Sequence, residues 1–154
     1  MFKIVYDFFL KWKDQNRIVI LRVSLGIIFL WFGILKFFPG ASPAEVIAGR
    51  TINKLSFGIL PTTLSMPILA VWESIIGLGL ILNVWLRLIL VLLYLQMAGT
   101  FLPLLFFPHE TFKGSLFIPT LLGQYIIKNC VLISGGIVIG GYKFERQVVK
   151  QYYK

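Results

Sequence analysis

Apolar residues fill this chain in long runs rather than alternating with polar ones. Four runs are long enough to cross a hydrocarbon core, which takes ~20 helical residues: about Ile18 to Phe38, Met66 to Leu82, Leu86 to Phe107 and Phe117 to Gly140. The runs predict helices, because an open strand in lipid leaves its backbone groups unpaired. Between the second and third runs stand only Asn83-Val84-Trp85, so those helices must be antiparallel neighbours. Ahead of the first run, Lys3, Asp7, Lys11 and Asp14 recur at helical spacing opposite Phe2, Val5, Phe9 and Trp12, the pattern of a helix lying in the headgroups. Behind it, Pro39-Gly40 makes a turn, and Ser42-Pro43-Ala44-Glu45 reads as an N-cap, a proline at the first helical position and a capping-box glutamate. A short helix from Pro43 to about Ser56 follows. The expected fold is all-α: an integral membrane four-helix bundle over residues 17–142, with an amphipathic interfacial helix over 1–16, a short helix in the first outer loop, and a basic tail over 143–154.

Composition agrees, at 58% hydrophobic and 14% charged residues, where soluble domains run nearer half apolar and a quarter charged. The formal charge of +9 raises the question of nucleic acid. Its placement answers against that partner, because the basic residues flank the apolar runs and form no aromatic-interleaved patch. With the N-terminus inside, Lys3, Lys11, Lys13, Arg17, Arg87, Lys143, Arg146, Lys150 and Lys154 lie on the cytoplasmic side, against Arg50, Lys54 and Lys113 outside. Nine against three predicts both termini in the cytoplasm. The N-terminus lacks the short apolar core and small-residue cleavage site of a signal peptide, so the first run is expected to be retained. The single Cys130 makes neither an internal disulfide nor a redox pair.

Four charged residues fall inside the spans: Arg22, Lys36, Glu73 and Lys128. Each costs roughly 2.5 to 3.5 kcal/mol at mid-bilayer, against about 0.3 to 0.6 gained per large apolar residue. Arg22 and Lys36 lie near opposite ends of their span and can snorkel to headgroups. Arg22, Gly26, Phe29, Gly33 and Lys36 nevertheless share one narrow stripe of the first helix, which should face protein rather than lipid. Ala70, Glu73, Ser74 and Gly77 form a small, polar face on the second. Gln96, Thr100 and Pro103 align on the third, where the proline frees a carbonyl for Thr100 or water. Gln124, Lys128 and Gly135 align on the fourth. The expected site is a buried Glu73–Lys128 ion pair at the centre, with Gln96 and Asn129 nearby. Arg22 and Lys36 then leave a surplus of two positive charges that attracts an anion, a lipid phosphate or a quinone. One His beside one Glu makes no metal site at His109-Glu110, and no nucleophile with a base, P-loop, dinucleotide fingerprint or haem-ligating pair is legible.

The segments 22-RVSLGIIFLWFGILKFFPG-40, 42-SPAEVIAGRTI-52, 72-WESIIGLGL-80, 95-LQMAGTFLPL-104 and 123-GQYIIKN-129 together resemble the DoxX-like membrane proteins of bacteria, from about Arg17 to Tyr142. The resemblance implies a compact four-helix bundle in the bacterial cytoplasmic membrane. That family includes subunits associated with thiosulfate:quinone oxidoreductases and proteins linked to oxidant resistance. It therefore implies a non-catalytic subunit or quinone-interacting anchor of a redox or sulfur-handling system, with a partner subunit and no covalently bound cofactor. A small anion or metabolite transporter and a structural scaffold are the competing expectations. Gly26, Gly33, Gly77 and Gly79 permit close helix approach within one chain or in a homo-oligomer.

Overall fold

The computed structural model describes residues 2–152, with the side chains of residues 2–5, 7, 9, 116 and 143–152 excepted. Its helices are α1 (Phe2–Leu35), α2 (Glu45–Leu55), α3 (Thr62–Leu82), α4 (Leu86–Phe106), α5 (Pro108–Thr111), α6 (Leu121–Ile127) and α7 (Cys130–Tyr152). Strands β1 (Phe112–Lys113) and β2 (Ser115–Pro119) pair as an antiparallel hairpin. Four segments are long and apolar enough to cross a membrane: Leu10–Leu35, Thr62–Leu82, Leu86–Phe106 and Leu121–Tyr142. The fold is thus the all-α four-helix membrane bundle expected, with the hairpin as a small addition among the described residues.

Several boundaries differ from expectation, with α1 ending at Leu35 rather than Phe38 and α3 beginning at Thr62 rather than Met66. The amphipathic N-terminal segment is not a separate helix, because α1 runs without interruption from Phe2 to Leu35. The side chains of Phe2, Lys3, Val5, Asp7 and Phe9, on which the amphipathic pattern rests, lie outside the described residues, as does Lys154 of the basic tail. The fourth span starts later and is broken. Residues 117–119 belong to β2, where Pro119 has no N–H for a helix interior. Thr120 then caps α6, its Oγ1 accepting from the Gly123 N–H at 3.1 Å. At Lys128–Asn129 the bonds tighten to three-residue closures, Asn129 N–H to Ile126 O and Val131 N–H to Lys128 O, separating α6 from α7. In α2, Glu45 reaches back to the Gly40 N–H at 2.6 Å, while Ser42 makes no side-chain cap to the helix.

Glycines bring α1 against α3. A Cβ on Gly33 would lie 2.8 Å from the Ser74 nitrogen, and one on Gly77 would lie 2.8 Å from the Gly26 carbonyl oxygen. These backbones touch where larger residues would hold them apart. Asn83 and Trp85 both take left-handed backbone angles to turn α3 into α4 within three residues. On the side carrying that turn and both termini, Leu25, Ile76, Leu80, Leu90, Leu93 and Ile139 form the dry core of the bundle. At the other end, α1 stops at Leu35 beside the middle of α3, and α2 occupies the space beyond it. Gly49 of α2 lies against Thr62, the first residue of α3.

Candidate functional site

Lys36 is the first residue past α1, and its ammonium meets the Glu73 carboxylate from α3 at 2.5 Å. Both side chains are 8% exposed, so the pair is buried. The same ammonium donates to the Phe32 carbonyl at 3.3 Å, which places a cation on the C-terminal carbonyls of its own helix. The other carboxylate oxygen accepts from Gln96 Nε2 of α4 at 2.7 Å. Both oxygens of Glu73 are therefore engaged, by charge-assisted bonds of the stronger class. Further along the wall, Asn129 Nδ2 donates to Thr100 Oγ1 at 3.4 Å, and Thr100 in turn donates to the Met97 carbonyl at 2.7 Å.

These groups border one cavity of about 180 Å³ under α2, between α1, α3, α4 and α6. That volume is an order of magnitude above what one water needs. Lys36, Glu73, Gln96, Thr100 and Asn129 supply polarity; most of the lining is apolar, including Phe29, Leu69 and Met97. Gly99 also lines it, and a Cβ there would meet nothing within 4 Å. Four residues beyond, Pro103 has no N–H to return to the Gly99 carbonyl. Thr100 does not fill that role, since its hydroxyl goes to Met97.

The expected Glu73–Lys128 pair is corrected by this geometry. Lys128 is exposed and does not line the cavity, which its neighbours Tyr125, Ile126 and Asn129 do, and its ammonium makes no hydrogen bond or ion pair among the described residues. The physical reason is the offset between helices: α1 ends level with the middle of α3, so Lys36 reaches Glu73 without leaving the bundle. Gln124 shares the exposed face with Lys128, and its amide meets the Pro119 carbonyl at 3.5 Å, the limit of a hydrogen bond. Arg22 also lies outside the cavity. Its guanidinium donates to the Leu80 and Ile81 carbonyls, capping the end of α3 on the termini side. The expected surplus of two charges disappears: the cavity wall holds one cation and one carboxylate, which neutralise each other.

Phe32, Gly99 and Tyr125 line the cavity and were not singled out in the sequence. Gly99 carried a signal, a glycine inside a helix four residues before a proline. The aromatics carried none, being two among twenty phenylalanines and tyrosines. No group of three or more His, Cys, Asp or Glu side chains able to hold a metal ion occurs among the described residues.

No curated protein and no solved structure matches the chain. The family model of DoxX matches residues 18–109, which contain Lys36, Glu73, Gln96 and Thr100 and stop short of Asn129. Four apolar helices and a family match over more than half of its length make this chain a multi-pass membrane protein, and it belongs to the DoxX family.

Proposed function

We propose that this protein is a non-catalytic, quinone-interacting membrane subunit serving a redox or sulfur-handling system, in the bacterial cytoplasmic membrane with both termini cytoplasmic. The observation that carries the reading is the electrically balanced Lys36–Glu73–Gln96 cluster set in the wall of a mostly apolar cavity. A cation beside its own counter-ion offers hydrogen bonds without a net charge. That suits a neutral head bearing carbonyls better than an anion. Lys36 has three N–H groups, of which two are spent on Glu73 and Phe32, and Asn129 and Gln96 add amide donors and acceptors. The chain's own part is to bind and orient; the electrons go to or come from a partner subunit.

Transport of an anion loses its motive with the surplus charge, and toward the termini the cavity is bordered by Phe29 and Met97, which belong to the packed core. The test is extraction of bound quinone from protein purified in mild detergent. Wild type is expected to retain it, and Gly99→Leu, which grows a side chain into the open space, should reduce retention at least about tenfold, the order expected when an apolar group must be displaced from a filled pocket. Absence of quinone from wild type, or equal retention by Gly99→Leu, overturns the proposal.

A further inference from the structure

The cavity is covered by α2 on the membrane-surface side and is bordered elsewhere by membrane-crossing helices. Its roof is α2, which contributes Ile47, Thr51, Ile52 and Leu55 to the lining. The roof is fastened at separate points. Gly49 sits against Thr62. Arg50 pairs with Glu110 at 2.8 Å and stacks over the Phe107 ring at 4.3 Å, and the Lys54 ammonium lies 4.9 Å from the centre of the Phe106 ring. An exposed ion pair alone holds little, but the cation–π contacts of Arg50 and Lys54 and a close helix approach act with it. The termini side is shut by the core.

The remaining wall is different. α1 packs on α3 and α7, and α6 packs on α4 and α5, but α1 and α6 share no packed seam. Along that gap, Ile28 and Phe32 of α1 and Tyr125 of α6 line the cavity while being 37%, 42% and 48% exposed, whereas in the α2 lining Ile47 and Thr51 are buried and only the last residue of the helix, Leu55, is exposed. A side chain that faces both a cavity and the surroundings marks a mouth. Here the surroundings are acyl chains, because these residues belong to membrane-crossing segments.

We infer that the cavity is loaded sideways from the bilayer through the gap between α1 and α6, so that its ligand is a tailed amphiphile: a head with carbonyl or hydroxyl groups at Lys36, Glu73 and Gln96, and an apolar chain running out past Phe32 and Tyr125. This rests on the reading of the cavity as a quinone site and adds the ligand's shape and its route. A prenylated quinone and an acyl lipid share this chemistry. The roof is then a fixed cover that keeps water from the buried ion pair, rather than the door.

The test uses the full chain in lipid nanodiscs and a benzoquinone carrying a decyl chain with a photoreactive diazirine at its far end. Labelling that is competed by unlabelled decyl-benzoquinone should fall on α1 and α6 near Phe32 and Tyr125. The decyl compound should also bind at least about tenfold tighter than its tail-less parent, the gain from burying roughly two methylenes. The double variant Arg50→Met, Glu110→Gln should leave the association rate of the decyl compound within about twofold, since an entry step is altered only by groups along its path. Competed labelling on Ile52 or Leu55 of α2, or association accelerated by unfastening the roof, overturns lateral loading while the quinone site stands. If labelling is competed by a phospholipid and not by quinone, the ligand is the acyl lipid and the route stands. If neither competes and the tail-less parent does not bind, the quinone site itself falls and this inference with it.

Discussion

A carboxylate buried inside a membrane bundle has to find its counter-charge within reach of its own side chain. Glu73 finds it in Lys36, with Gln96 taking the second oxygen. Breaking such a pair from one side strands the other member. Lys36→Met should therefore lower unfolding free energy by about 3 to 5 kcal/mol, measured by unfolding in mild detergent. Gln96→Leu, which leaves one carboxylate oxygen without its donor, should cost about 1 to 3 kcal/mol. Lys128→Met should cost nothing measurable in the same assay, because its ammonium meets nothing among the described residues. The sequence announced Glu73 as a buried group and Gln96 as its neighbour, since both fall on small, polar faces of adjacent antiparallel helices. It misdirected the choice of cation. Depth was read from the middle of each apolar run, which put Lys128 at the centre and Lys36 at an edge; nothing local to Lys36 states that α1 ends halfway along α3. The stripe of Gly26, Gly33 and Lys36 was expected to face protein without naming the partner helix; it faces α3.

At the scale of elements, glycine spacing is what lets α1 and α3 approach closely enough for a lysine to reach across. A Cβ on Gly33 would have to displace backbone of α3. Gly33→Leu should thus separate the two helices and lower the thermal midpoint sharply, whereas Gly99→Leu, with open space before it, should leave the midpoint near that of wild type. Following both melts by intrinsic tryptophan fluorescence separates a packing glycine from a cavity-lining one. Four spans, the three-residue link and the short α2 helix were legible because run length, loop size and the Pro-Gly turn ahead of α2 are local signals, although Ser42 does not cap α2. The late start of the fourth span was not read, although Pro119 and the Thr120 cap were both present. Thr120→Val should cost about 1 kcal/mol, the ordinary value of a lost N-cap.

The whole molecule combines a dry end and a hollow end. On the termini side, Leu80, Leu93 and Ile139 are almost wholly inaccessible; on the α2 side, the end of α1 level with the middle of α3 leaves a chamber that α2 covers without filling. The Arg50–Glu110 clip that holds this cover joins residues 60 positions apart and had no sequence signature. Apolar composition alone could announce the bundle, because lipid imposes one solution on the backbone. It could not announce the chamber, which depends on where helices stop relative to one another.

The pairing of Lys36 with Glu73 is the claim on which site, cavity polarity and proposed ligand all depend, and a pair of double-mutant cycles on unfolding in mild detergent tests it most directly. Coupling of Lys36→Met with Glu73→Gln should amount to about 1 to 3 kcal/mol, within the range for residues sharing one network, while Lys128→Met with Glu73→Gln should be additive. Additivity at Lys36 together with coupling at Lys128 would contradict the account.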